Sequence, residues 1–161
     1  MNLRLLAIGR ITNSNFKLLC DHYLKNINAI NKQIGITNLE MIEINKALDK
    51  NPNSRKDREY KMLLKKINLN DSINIILEER GKPLTSQEFK NMLEDYLKQP
   101  RSEINFIIGG PDGTSKNLSK IANETISLSK MTLPHLMARV MLIEQIYRSL
   151  SIIINHPYHR D

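Results

Sequence analysis

An α/β fold is what this sequence predicts, on three observations. Apolar runs of strand length recur along the chain, and segments with helical spacing separate them. Its 161 residues, 40% hydrophobic and 25% charged, also suit one domain, residues 1–161, with a core of its own. The first run, Leu3 to Gly9, is interrupted by Arg4 and lacks a small-residue cleavage site, so it reads as a strand and not as a signal peptide. Phe16, Leu19, Tyr23, Leu24, Ile27 and Ile30 then recur at three- and four-residue steps, making one buried helix face, with Cys20 as a buried residue of the same helix. A second strand is expected at Ile36 to Ile44. Asn45 to Asp57 is polar, carries Pro52 and has no periodicity, which predicts a surface loop. Helical spacing returns at Tyr60, Leu63, Leu64 and Ile67, and Ile73 to Leu77 reads as a third, buried strand. Thr85 to Glu88 has the form of a capping box, so a helix is expected from there to about Lys98, with Pro100 ending it. Strands at Ile104 to Ile108 and Ile126 to Ser129 follow. The last helix, from Pro134 to about Asn155, is apolar over a stripe wide enough for either core or a subunit interface.

The 24 Lys and Arg against 17 Asp and Glu leave +7, a surplus that draws polyanions and favours nucleic acid or an anionic surface as partner. Cys20 is alone and cannot close an internal disulfide, and no Cys or His cluster has zinc spacing. A reducing cytosol and a metal-free protein are the expectation. No apolar stretch approaches the roughly 20 residues of a membrane span, so no membrane is expected as partner.

Three segments at predicted strand ends can carry chemistry. Ile104 to Ile108 runs into Gly109, Gly110, Pro111, Asp112 and Gly113, where glycines let backbone amides approach a ligand. The spacing is G-G-x-x-G, which supports a dinucleotide fold poorly, and a tight strand-to-helix turn explains it equally. Glu78, Glu79, Arg80, Gly81 and Lys82 place opposite charges at the carboxyl end of the third strand, where α/β sheets bind ligands, although a solvated charged turn needs no function. Leu128 to His135 mixes apolar and polar groups as an adenine pocket would. The tail, Asn155 to Asp161, is dense with imidazole, phenol and guanidinium groups for a chain end. His135 and Arg139, four residues apart, share a helix face with Glu144 and Arg148 further along, which a simple ion-pair lattice would also explain.

Taken together, I-I-G-G-P-D-G at 107–113, I-S-L-S-K-M-T-L-P-H at 126–135, R-V-M-L-I-E-Q-I-Y-R at 139–148 and N-H-P-Y-H-R at 155–160 resemble the ribosomal RNA large subunit methyltransferase H family. The resemblance spans the whole chain, from L-L-A-I-G-R at 5–10 through L-E-E-R-G-K-P-L at 77–84 to the last residues. It implies a SPOUT-type parallel sheet flanked by helices, with a C-terminal trefoil knot, working as a cytoplasmic homodimer. It also implies S-adenosylmethionine as cofactor and, as substrate, N3 of a pseudouridine in 23S ribosomal RNA on the assembled ribosome. By the same resemblance Leu77, Gly109, Leu128, Ser129, Lys130, Met131, Thr132 and Leu133 form the cofactor pocket. Tyr158, His159 and Arg160, with Arg139 as support, belong to the catalytic and substrate side and reach across the dimer. Glu78, Thr114 and Arg10 depart mildly from the family pattern and touch only how the loops close.

Two other readings compete. One is a SPOUT methyltransferase for another RNA, against which the N-H-P-Y-H-R tail speaks; the other is a ribosome-associated RNA-binding module without catalysis, for which the basic charge suffices.

Overall fold

A computed structural model describes residues 1–158. In chain order its elements are β1 (Asn2–Ile8), α1 (Ser14–Ile30), β2 (Asn38–Ile44), α2 (Pro52–Leu64), β3 (Ser72–Pro83), α3 (Ser86–Leu97), β4 (Glu103–Ile108), β5 (Glu124–Ser127) and α4 (His135–Ile153). Short 3₁₀ turns at Asn31–Ile34 and Leu118–Ile121 complete the set. The strands form one sheet in the order β2-β1-β4-β3-β5, every pair parallel. Parallel neighbours need a crossover over a sheet face, which is why helical segments separate the apolar runs.

Alternation along each strand divides the core into two layers. Leu3, Leu5, Ile73, Ile75, Ile104 and Phe106 point to one face and pack against Ile27 of α1, Phe89 and Leu93 of α3, and Leu142, Ile143 and Ile146 of α4. Leu6, Ile8, Ile76 and Ile107 point to the other and meet Leu63 of α2, Ile67 and Leu118. Each such side chain, fully buried, contributes about 1.5–3 kcal/mol. Cys20 is buried, and burial pushes its thiol up to about 11, which leaves it unreactive.

Three expectations need correction. Residues 52–57 are not loop but the first turns of α2: the Asn51 side chain accepts from the amides of Asn53 and Ser54, and Pro52 takes the first helical position. Glu78 to Lys82 is not a free loop either. β3 continues to Pro83, with its pairing to β5 shifted so that Ile126 stands opposite both Leu77 and Lys82. Leu19 is 46% exposed, outside the buried face of α1, where Cys20, Ile27 and Ile30 are the buried residues. The capping box stands as expected: the Thr85 hydroxyl accepts from the Glu88 amide, and Glu88 accepts from the Thr85 amide at 2.7 Å. No described helix is long and apolar enough to cross a membrane.

Candidate active site

The carboxyl ends of β4 and β5, together with β3 just past its last pairing with β4 at Leu77, open into one cleft of ≈ 620 Å³, a volume typical of small-molecule sites. Three segments wall it: Leu77 to Arg80 from β3, Ile108 to Thr114 after β4, and Ser127 to Leu133 after β5, closed below by His135 and Ala138 of α4. Parallel strands end together, so adjacent strand ends bring together loops far apart in sequence.

Each wall is fixed by bonds that can be named. After β4 the Gly113 amide donates to the Gly110 carbonyl at 2.9 Å, a tight turn. A Cβ at Gly109 would lie 2.7 Å from Thr114 Cγ2, so no side chain fits between the two arms of that turn. Thr114 Oγ1 donates to Glu78 and ties the second wall to the first. In the third wall Ser127 Oγ donates to the Ser129 carbonyl at 2.7 Å, and the Met131 amide donates to Ser129 Oγ at 2.9 Å. Met131 is an apolar group 75% exposed at the rim.

Below the second wall α2 makes three polar contacts. Arg55 pairs with Asp112 at 2.6 Å, Asp57 accepts from the Ser115 hydroxyl at 2.7 Å, and buried Glu59 lies beneath Gly110, accepting from the Ala47 amide at 3.1 Å. Burial raises the Glu59 carboxyl above its ordinary value. These contacts were not expected from the sequence; Asn51-Pro52, a helix-start signal, could have revealed the helix that supplies them.

At the floor, Arg139 is fully buried. Its Nη2 donates to the carbonyls of Ile8 and Gly9, each at 2.8 Å, and its Nη1 pairs with Glu43 of β2 at 3.1 Å. Its ion-pair partner is thus Glu43 and not an acid of α4, although Nη2 also lies 2.6 Å from His135 Nε2 one turn back on α4 and the Glu144–Arg148 pair of the expected lattice is present at 2.6 Å. His135 Nε2 lies within hydrogen-bond distance of both the Ile8 carbonyl, at 2.7 Å, and Arg139 Nη2, at 2.6 Å. Burial, followed by the neighbouring guanidinium, depresses the His135 pKa, so the ring is neutral at pH 7.

Of the residues assigned to the cofactor pocket, Leu77, Gly109, Leu128, Ser129, Met131, Thr132 and Leu133 line the cleft, and Lys130 is exposed beside it. Arg139 reaches the carboxyl end of β1 and does not line the cleft. Tyr158 also lies elsewhere: its ring packs 4.4 Å from that of Tyr147, Arg148 stands 5.2 Å over it, and its hydroxyl donates to Glu144 Oε1 at 3.0 Å. Burial, followed by hydrogen bonds with Tyr23 and Glu144, pushes its phenol well up, so it stays neutral at physiological pH. His159 and Arg160 lie outside the described residues.

Comparison with known proteins gives this architecture its family. The family model described as "Predicted SPOUT methyltransferase" matches residues 1–159. A protein of Rhizobium johnstonii named ribosomal RNA large subunit methyltransferase H is 37% identical over 160 residues, covering 99% of either chain. The protein of the same name from Flavobacterium psychrophilum is 36% identical over 162 residues, covering 100% of both. The crystal structure of a probable methyltransferase from Bordetella pertussis Tohama I superposes with a TM-score of 0.55 at 10% identity, covering 92% of this chain and 93% of that one, which shows a shared fold. With matches of this extent, the chain belongs to the ribosomal RNA large subunit methyltransferase H family of SPOUT methyltransferases.

Proposed function

We propose that this chain methylates N3 of a pseudouridine in 23S ribosomal RNA on the assembled large subunit, using S-adenosylmethionine, as a cytoplasmic homodimer built from one SPOUT domain, residues 1–161. The observation that carries the proposal is the cleft into which β3 and the ends of β4 and β5 bring the three segments that resemble the family's cofactor loops.

The residues of the cleft fit that cofactor. Leu77, Ile108, Leu128, Leu133 and Ala138 offer an apolar wall for an adenine ring. At the rim Glu78 and Glu79 present carboxylates, while Asp112 is paired with Arg55. Such a rim suits a cationic sulfonium, with Arg80 available for a carboxylate. When bound, S-adenosylmethionine supplies an electrophilic methyl group. The chain's own work is then positional: the rigid walls hold the donor still while the substrate side presents N3 in line.

N3 must lose its proton to act as nucleophile. His159 accepts it or orients the acceptor, Arg160 engages phosphate or the anion developing on the base, and Tyr158, which packs on α4 away from its own chain's cleft, stacks beside a base held in the partner's cleft. Arg139 supports this from below, as a positioning residue acting through His135 and the β1 carbonyls that it holds. The homodimer is supported by exposed Leu18 and Leu19 on α1 and Met137 and Met141 on α4, helices that share one face of the sheet. Tyr158 folds onto that same α4, so a partner docked there would meet the tail. The C-terminal knot rests on the family resemblance.

Calorimetry tests the cofactor. Wild-type protein should bind S-adenosylmethionine, and Gly109→Val, which has no room for its side chain, should abolish binding. A binding module without catalysis has no reason to hold the cofactor, so a wild type that binds none overturns the proposal. His159→Ala should keep cofactor affinity while turnover falls on the order of 100-fold, the usual share of a general base; unchanged turnover removes His159 from its role.

A further inference from the structure

The charge surplus of the chain is not spread evenly. Residues 45–71 and 109–123, the segments that include α2 and the Leu118–Ile121 turn, hold ten Lys and Arg against five Asp and Glu, a surplus of five out of the chain's seven. α2 and that turn share one apolar layer through Leu63, Ile67 and Leu118, on the sheet face opposite α1, α3 and α4.

The acidic groups of these segments are already engaged. Asp112 pairs with Arg55, Asp49 with Arg58, Asp57 accepts from Ser115, Asp71 accepts from Ser102, and Glu59 is buried. What is left outward is cationic: Lys46, Lys50, Lys61, Lys65, Lys116 and Lys120 are exposed and, among the described residues, have no carboxylate within ion-pair distance. On the opposite face Lys17, Lys90 and Lys98 each sit against a carboxylate of their own helix, and Lys25 and Lys32 are exposed lysines there without an ion pair among the described residues, so the unpaired lysines are fewer on that side. Unpaired lysines on one side gain most from a polyanion, because each phosphate neutralised releases a counterion.

The position of this face matters as much as its charge. The Gly109–Ser115 segment is at once the second wall of the cleft and the joint to α2, through Arg55–Asp112 and Asp57–Ser115. A phosphate backbone lying along α2 therefore runs directly to the rim of the cleft. From this we infer that the α2 face is the surface by which the protein docks on structured RNA, gripping phosphates with Lys61, Lys65 and Lys120 while the cleft receives the target base. The inference rests on the RNA methylation reading above and names the surface that reading needs. Phosphate contacts set register and orientation without reading sequence, which suits a small protein recognising a folded ribosomal surface.

The test is the affinity for purified ribosomes lacking the modification, measured from low to moderate salt, for wild type and for the variant Lys61→Gln/Lys65→Gln/Lys120→Gln. Lys25→Gln/Lys32→Gln/Lys98→Gln serves as the control on the other face. The α2 variant should retain S-adenosylmethionine binding, lose at least about tenfold in ribosome affinity at low salt, and show a log–log salt slope shallower by about two to three. The control should match wild type. Equal affinity and slope for wild type and the α2 variant overturn the inference while leaving the methylation reading in place. If salt-dependent ribosome binding depends on α2 but no methyl is transferred, the surface stands and the methylation reading falls. A wild type that ignores ribosomes and binds anionic phosphatidylglycerol vesicles instead overturns both.

Discussion

Arg139 carries a charge with no exposed surface, and its partners explain how. One nitrogen bonds two successive carbonyls where β1 ends and another pairs with Glu43 on β2, so a single guanidinium joins α4 to two strands. Arg139→Ala should cost about 3 kcal/mol in urea unfolding, since it strands Glu43 and two carbonyls together. Arg139→Lys should recover little of it, because a point ammonium cannot reach all three; full recovery would contradict this reading. Glu59 makes the opposite kind of prediction. Its carboxyl titrates above its ordinary 4.5 because the folded state buries it, so its contribution to stability is complete below that value and is lost as pH rises through the folded pKa. Glu59→Gln, which keeps an acceptor for the Ala47 amide, should lose less stability than wild type between pH 4.5 and 8, and an equal pH dependence would show that burial does not govern Glu59.

At the level of elements, what was legible depended on whether the signal was local. The α3 start could be read because Thr85 and Glu88 satisfy each other's backbone within one turn. The α2 start is hidden because its first turns are polar, so that Pro52 in an aperiodic segment reads as loop where it is the first helical residue behind the Asn51 cap. The extension of β3 to Pro83 was illegible for a different reason: its exposed charges look like a turn, and only the pairing of Lys82 and Pro83 with β5 makes them strand. Leu19 was assigned to the core by spacing alone, yet it is half exposed on the α1–α4 side of the molecule. Gly81 gives the element its test. An alanine there would bring its Cβ to 2.4 Å from the Ile126 backbone, so Gly81→Ala should destabilise by several times the about 1 kcal/mol of a routine substitution and weaken cofactor binding by displacing β5. A variant with wild-type unfolding and cofactor affinity would show that β3 and β5 do not hold each other in place.

Over the whole molecule, the cleft was legible because its walls are short contiguous motifs, each beginning at or near the end of an apolar run. The tail was not: Tyr158 is held against α4 by Glu144, Arg148 and Tyr147, contacts that span many residues and leave no local pattern. The same tail makes the dimer part of the functional account. Met137→Glu/Met141→Glu, placing charge on the exposed α4 face, should convert a dimer to a monomer in light scattering and abolish turnover while cofactor affinity survives; a variant that remains dimeric would move the interface elsewhere. The most direct test of the central claim is tritium transfer from labelled S-adenosylmethionine to assembled ribosomes lacking the modification, followed by mapping of the labelled nucleoside. The account predicts label at N3 of one large-subunit pseudouridine, and ribosomes left unlabelled by a protein that measurably binds the cofactor would contradict it.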